Sequence, residues 1–137
     1  MNRVLIDTDI LSYFLKGDEK VIANFTNYLN HFELLEISVI TYYEIESGLK
    51  AKKAARQLTV FEEFINHHLI LSVTEGTAKI SSDLYGSLKL SGKVVDDMDL
   101  LIAGIAIENN MSLATNNEKH FERIPGLTIQ NWKKQIY

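Results

Sequence analysis

Residues 97–115, DMDLLIAGIAIENNMSLAT, decide the fold. From Asp97 to Asn109 the segment is apolar almost all round, so a helix built from it must be buried. Ser112–Thr115 then reads as a strand. Working back toward the N-terminus, Val4–Ile6 is a short apolar run ending at Asp7, the pattern of a buried first strand. Ile10–Lys16 reads as a short helix stopped by Gly17. Asp18-Glu19 opens a second helix through Asn30, with Val21, Ile22, Phe25, Tyr28 and Leu29 at helical spacing. Glu36–Ile40 is a β-rich second strand. Thr41 is expected to cap the next helix, with Glu44 completing a capping box. That helix runs past Gly48, and another covers Leu58–His67. Leu69–Val73 is a third strand and Thr74–Leu90 a long amphipathic helix broken by Ser91-Gly92. Beyond Thr115 follow a short helix, Glu118–Arg123, and an edge strand, Leu127–Ile129. Strands alternating with helices imply right-handed crossovers and a mainly parallel sheet, so the expectation is one α/β sandwich domain over residues 1–137.

Composition narrows the function. The chain has 137 residues, 46% hydrophobic and 23% charged, which is the balance of an ordinary globule rather than a disordered chain. It has no cysteine, which excludes disulfides, thiolate zinc sites and a thiol nucleophile, and which suits the cytoplasm. Met1–Asn2–Arg3 runs into only three apolar residues before Asp7, unlike a secretory leader, and no apolar run approaches the ~20 residues that span a bilayer. Fourteen Lys and Arg against 18 Asp and Glu give a net charge of −4, which argues against a broad basic surface. A local one remains, because Lys50, Lys52, Lys53 and Arg56 fall within seven residues. They read either as a solvated helix face or as a phosphate-binding patch.

In open α/β sheets, ligands sit outside the carboxyl ends of the strands, and the polar residues collect there. Asp7 follows the first strand, Glu44 lies in the first turn of the helix after the second, and Asn116 and Asn117 follow Thr115. Asp99 stands in the first turn of the buried helix among Met98, Leu100, Leu101 and Ile102. Two carboxylates ~4 Å apart repel by roughly 4 kcal/mol at an effective dielectric near 20. Such convergence calls for a raised pKa, a cationic side chain or a divalent metal. With no His or Cys expected nearby, an oxygen-only set favours Mg²⁺ or Mn²⁺, held by Asp7, Asp99 and Glu44, and suits phosphodiester hydrolysis. Each acid also has a plain structural role open to it: Asp7 as an N-cap, Glu44 as a capping-box partner, Asp99 as a complement to the helix dipole.

The stretches LIDTDILSYFLKG (5–17), ISVITYYEIESGL (37–49), DDMDLLIAGIAIENNMSLATNNEKHF (96–121) and IPGLTIQNW (124–132) resemble those of PIN-domain ribonucleases, specifically the VapC toxins of type II toxin–antitoxin systems. The resemblance runs in order from Val4 to Trp132. It implies a PIN-like three-layer sandwich and a divalent-metal endoribonuclease, usually a homodimer, silenced by a cognate VapB-type antitoxin. By position, Asp7, Glu44 and Asp99 match the three core acids of the family. Many members carry an acid where this chain has Asn117, which adds no charge. Asp96, three residues before Asp99, is a candidate to supply that charge, whereas Asp97 is expected to face solvent or cap the helix. Asp9 stands where Asn is commoner and is expected to cap the first helix rather than add charge beside Asp7. Thr8 and Thr115 are candidates to orient the carboxylates.

The RNA implied as substrate is single-stranded or looped, with transfer RNA suggested by the family, and the Lys50–Arg56 cluster is the candidate contact to flanking phosphates. The implied antitoxin would lay a helix in an apolar groove, for which Tyr13, Phe14, Tyr42 and Tyr43 are candidate walls or else core. Two rival readings exist. A haloacid-dehalogenase-like phosphatase would use Asp7 as nucleophile with Lys93 and the late acids Asp96-Asp97. A PIN-like module that binds RNA or protein without cutting is suggested only by Asn117. A response-regulator receiver lacks its acceptor Asp after the third strand.

Overall fold

The computed structural model describes residues 2–137. The elements in chain order are β1 (Val4–Ile6), α1 (Thr8–Leu15), α2 (Glu19–Leu29), β2 (Glu36–Ser38), α3 (Val39–Ala51), α4 (Ala55–Ile65), β3 (Leu69–Leu71), α5 (Glu75–Leu90), α6 (Asp97–Glu108), β4 (Ser112–Ala114), α7 (Glu118–Phe121) and β5 (Ile129–Gln130). The strands form one sheet in the order β3-β2-β1-β4-β5, and every pairing is parallel. β1 sits at the centre, with Leu5 opposite both Glu36 and Leu113. All three residues of β1 are buried, as a strand covered on both faces requires.

Alternation along β1 divides the interior into two cores. Val4 and Ile6 join Ile10, Leu11, Val21, Phe25, Tyr28, Ile45, Phe61 and Trp132 on one side. Leu5 joins Leu84, Leu88, Ile102, Ile105, Leu113 and Phe121 on the other. The helices thus cover both sheet faces, and the three-layer sandwich expected from the sequence is what the chain adopts. α6 is buried through Leu100, Ile102, Ala103, Gly104, Ile105 and Ala106. It lies so close to α5 that a Cβ on Gly104 would stand 2.1 Å from Ser81 Oγ and 3.1 Å from the Thr77 carbonyl oxygen.

The boundaries differ from expectation where a cap competes with β-propensity. Val39 and Ile40 belong to α3 rather than to the second strand, because Ser38 Oγ accepts from the Thr41 backbone N–H at 3.0 Å and starts the helix there. Thr41 is therefore no N-cap; it is fully buried inside the helix. Glu44 lies in the second turn of α3 rather than the first. α1 begins at Thr8, two residues early, α4 begins at Ala55 rather than Leu58, and β3 ends at Leu71. The capping box occurs instead at α5, where Thr74 and Thr77 satisfy each other's backbone N–H groups.

Candidate active site

Parallel strands all end on one edge, and that edge collects the acids. Asp7 directly follows β1 and caps α1, its backbone N–H tied to the Ala114 carbonyl at 2.9 Å. Asp7 is 6% exposed. Thr115 Oγ1 donates to Oδ2 at 2.8 Å, and the Thr8 backbone N–H donates to Oδ1 at 2.8 Å. The Asn117 backbone N–H donates in turn to Thr115 Oγ1 at 3.0 Å, which leaves the threonine proton for Asp7.

Thr8 does the same for Glu44. Its hydroxyl lies 2.6 Å from Glu44 Oε1, an acceptor, and 3.0 Å from Thr41 Oγ1. A hydroxyl has one proton, so Thr8 donates to Glu44 and Thr41 donates to Thr8. Buried Thr41 thus begins a hydroxyl chain that runs through Thr8 and ends on an acid.

Burial and mutual repulsion act on these carboxyls together. Asp7 is pushed up to about 7, first by burial and then by the Asp9 charge, against the hydrogen bonds from Thr115 and Thr8, with a further push from Asp99. Asp9 is raised by burial and by Asp99, against the N–H groups of Asn116 and Ile10. Asp99 is raised by burial and by Asp96 and Glu44, while His120 opposes the rise. Asp7, Asp9, Glu44 and Asp99 therefore share one field, as the topology required. Among the described residues none of the four forms an ion pair with lysine or arginine.

Several assignments change. Asp9 does not cap α1, a place Asp7 takes; its Oδ2 accepts from the Asn116 backbone N–H at 3.0 Å, and its charge bears on Asp7. Asp96 is exposed and caps α6 by accepting from the Met98 backbone N–H at 3.2 Å, although its charge still reaches Asp99. Asp97 is exposed. Asn116 braces the rim, its Oδ1 accepting from Asn131 at 3.0 Å.

The expectation of no histidine beside the acids is overturned by His120. Its Nδ1 stands 3.5 Å from Asp99 Oδ2 and 2.9 Å from Asn117 Nδ2. The signal was present, since His120 is three residues after Asn117 and shares a face with it once residues 118–121 turn into a helix.

Lys50, Lys52, Lys53 and Arg56 lie apart from the acids, at the turn joining α3 to α4. Lys52 is eight residues beyond Glu44, about 12 Å along a helix axis. Lys50 pairs with Glu46 at 3.3 Å, and Lys52, Lys53 and Arg56 have no ion pair among the described residues. Of the four candidate groove aromatics, Phe14 stacks on Phe25 with ring centroids 4.0 Å apart, and Tyr13 and Tyr42 pack against the same core. Only Tyr43 stands free, 60% exposed. Lys93, which a phosphatase would need beside Asp7, lines a hollow with Tyr85, Val94 and Asp97.

The donor set fits a divalent cation by its chemistry: a buried Asp7 carboxylate with half-buried ones beside it, negative charge with no lysine or arginine against it, and one acid forced toward neutrality. Among the described residues no three Asp, Glu or His side chains already close on one point as a ready cage, so a cation would have to draw them in.

Sheet order and site together define a class, the three-layer α/β domain that carries a cluster of acids over the carboxyl edge of a parallel sheet. The sequence matches the family model of the PIN domain over residues 4–127, and the chain belongs to that family. It is similar to Ribonuclease VapC2 of Rickettsia felis, with 30% identity over 131 residues covering 95% of this chain and 98% of the relative. It is 29% identical to the tRNA(fMet)-specific endonuclease VapC of Shigella flexneri, covering 96% and 99% of the two chains. A chain in the crystal structure of VapBC2 from Rickettsia felis bound to a promoter DNA fragment superposes with a TM-score of 0.87 at 28% identity, covering 94% of this chain and 98% of that one.

Proposed function

We propose that the chain is a divalent-cation-dependent endoribonuclease, the toxin of a toxin–antitoxin pair, with Asp7, Glu44 and Asp99 as its working acids and Mg²⁺ or Mn²⁺ as its ion. The observation that carries this reading is the group of four carboxyls at the strand ends with no lysine or arginine paired to them, one of them held near neutrality by burial and repulsion. Asp7, Glu44 and Asp99 would hold the cation, which when bound would supply a lowered pKa for an attacking water and offset charge on the scissile phosphodiester. The chain's own residues hold that arrangement. Thr115 and the Thr8 backbone fix Asp7, and the Thr8 hydroxyl takes Glu44 Oε1 and leaves Oε2 to accept a proton from the water. Without a cation the acid cluster repels an RNA backbone.

Transfer RNA is the first substrate to test, because the Shigella relative is named for it. The regulator is an antitoxin of the VapB type, in keeping with the Rickettsia complex, and the active form is a homodimer. The test is cleavage of transfer RNA, ribosomal RNA and single-stranded oligonucleotides by purified protein with and without Mg²⁺ or Mn²⁺, alongside Asp99→Asn. Discrete cuts that need the ion and vanish in the variant are expected. Intact RNA in every lane, with the protein folded and the ion bound, would leave a binding module.

A further inference from the structure

We propose that the hollow between the end of α5 and the start of α6 is a nucleobase pocket that takes one guanine of the RNA beside the acid cluster. This rests on the reading of the chain as a ribonuclease, and deepens it by naming what the substrate presents. Local structure builds the hollow. α5 ends in a left-handed turn at Gly92, φ +74°, where the Lys93 N–H donates to the Leu88 carbonyl at 2.9 Å and the Gly92 N–H to the Lys89 carbonyl at 3.1 Å. That turn brings residues 93–97 alongside the last turns of α5, with which they line one hollow. Arg123 Nη1 braces the returning segment by donating to the Val94 carbonyl at 3.1 Å. The space is about 270 Å³, with buried Leu88 and Leu100 in its wall and the side chains of Tyr85, Lys89, Lys93 and Asp97 around it.

Those last four side chains are not spent elsewhere. Among the described residues Lys89, Lys93 and Asp97 form no ion pair, and Tyr85, 49% exposed, stacks on no other ring. An open aromatic ring beside buried aliphatic side chains is a platform on which a base stacks. Lys89 and Lys93 are the cations for the phosphates that flank it. Asp97 does the selecting. An ionised carboxylate only accepts, through two oxygens. Guanine alone among the four bases sets two donors, N1–H and an N2–H, side by side on its Watson–Crick edge, the edge that single-stranded RNA leaves open. Adenine and cytosine place a ring-nitrogen acceptor beside their amino group, and uracil flanks N3–H with two carbonyl oxygens. Each of these three brings lone pairs against the carboxylate. The hollow adjoins the acid cluster, since Asp96 in its wall bears on the charge of Asp99. Asp97 itself is less than one helical turn from Asp99.

The experiment is binding, in Ca²⁺, of fluorescent oligouridine carrying one central guanosine, inosine, adenosine or cytidine. The proteins are the wild type, Asp97→Asn, Tyr85→Ala, Tyr85→Phe and the pair Lys89→Gln with Lys93→Gln. The wild type is expected to bind the guanosine probe about tenfold more tightly than the adenosine or cytidine probe. Inosine, which keeps N1–H and lacks the amino group, should fall between them. Asp97→Asn should bring all four probes within about twofold of one another. Tyr85→Ala should cost about tenfold on the guanosine probe, and Tyr85→Phe, which keeps the ring, almost nothing. The lysine pair should lower the slope of log affinity against log salt by about 1.4, roughly 0.7 for each cation on a single strand, and leave the order of the bases alone. Equal affinity of the wild type for all four probes, or a preference that survives Asp97→Asn, overturns the pocket. So does a Tyr85→Ala protein that changes its oligomeric state and not its RNA affinity, which gives the hollow to a second copy of the chain. Cleavage assays on the same wild-type protein keep the two levels apart. Protein that cuts RNA without ranking the probes is a ribonuclease without this pocket. Protein that ranks them without cutting keeps the pocket on a binding module, and protein that neither cuts nor binds loses both.

Discussion

Asp7 is built into a place that disfavours its own charge. Its carboxyl titrates near 7 in the fold, against about 3.8 unfolded. Below pH 3.8 both states are protonated and nothing is lost. Between there and about 7 the folded chain holds a proton that the unfolded chain has released, so stability falls as pH rises, and above 7 the loss is complete. Asp7→Asn keeps an acceptor for Thr115 without the charge. It should stabilise the protein by about 2–4 kcal/mol at pH 8 and hardly at all at pH 3.5, read from urea melts at the two values, while abolishing RNA cleavage. Thr8→Val makes the opposite point. It removes the donor to Glu44 and the acceptor of Thr41 but no carboxylate, so the folded protein should lose about 10–100-fold in cleavage rate. The acids themselves were legible in sequence, because Asp99 stands directly among Met98, Leu100, Leu101 and Ile102 and Asp7 ends an apolar run. The imidazole was legible only in its spacing from Asn117, since its place beside Asp99 depends on how four residues of a polar stretch coil after β4.

At the scale of elements, caps and close contacts set what pattern alone leaves open. Val39 and Ile40 have the β-branched side chains of a strand, yet the Ser38 hydroxyl turns the chain into α3 before them, and this moves Glu44 one turn deeper. Ser38→Ala should cost about 1 kcal/mol in chemical denaturation by removing that cap. The contact of α5 with α6 is tighter still. At Gly104 an added methyl would meet Ser81 Oγ and the Thr77 carbonyl, and Ser81 Oγ already donates to the Leu100 carbonyl at 2.7 Å. Gly104→Ala must push the helices apart or break that bond, at a cost of about 1–3 kcal/mol, despite alanine's better helix propensity. Periodicity announced α6 as buried, but which small residue touches which neighbour depends on the packing of two helices and is absent from either one alone.

Across the whole molecule, charge is separated: acids without lysine or arginine partners among the described residues at the sheet's carboxyl edge, and Lys52, Lys53 and Arg56 at the outer turn of α3 and α4. A polyanion held at the turn would bring its backbone toward acids that repel it, and a divalent ion is what makes the two ends compatible. Changing the three residues together, Lys52→Gln, Lys53→Gln and Arg56→Gln, should weaken RNA binding in Ca²⁺ and lower the slope of log affinity against log salt by about 2. An unchanged slope would mean that the turn is only a solvated face. The acid end answers to the ion directly. Saturation to about 100 times the dissociation constant stabilises the folded state by about 2.7 kcal/mol, several degrees in the melting temperature for a domain of this size. Asp7→Asn begins from the higher melting temperature, having shed its repulsion, and should gain little from added Mn²⁺. The two melting curves should therefore draw together as Mn²⁺ is added to both. Curves that rise in parallel would place the ion somewhere other than beside Asp7.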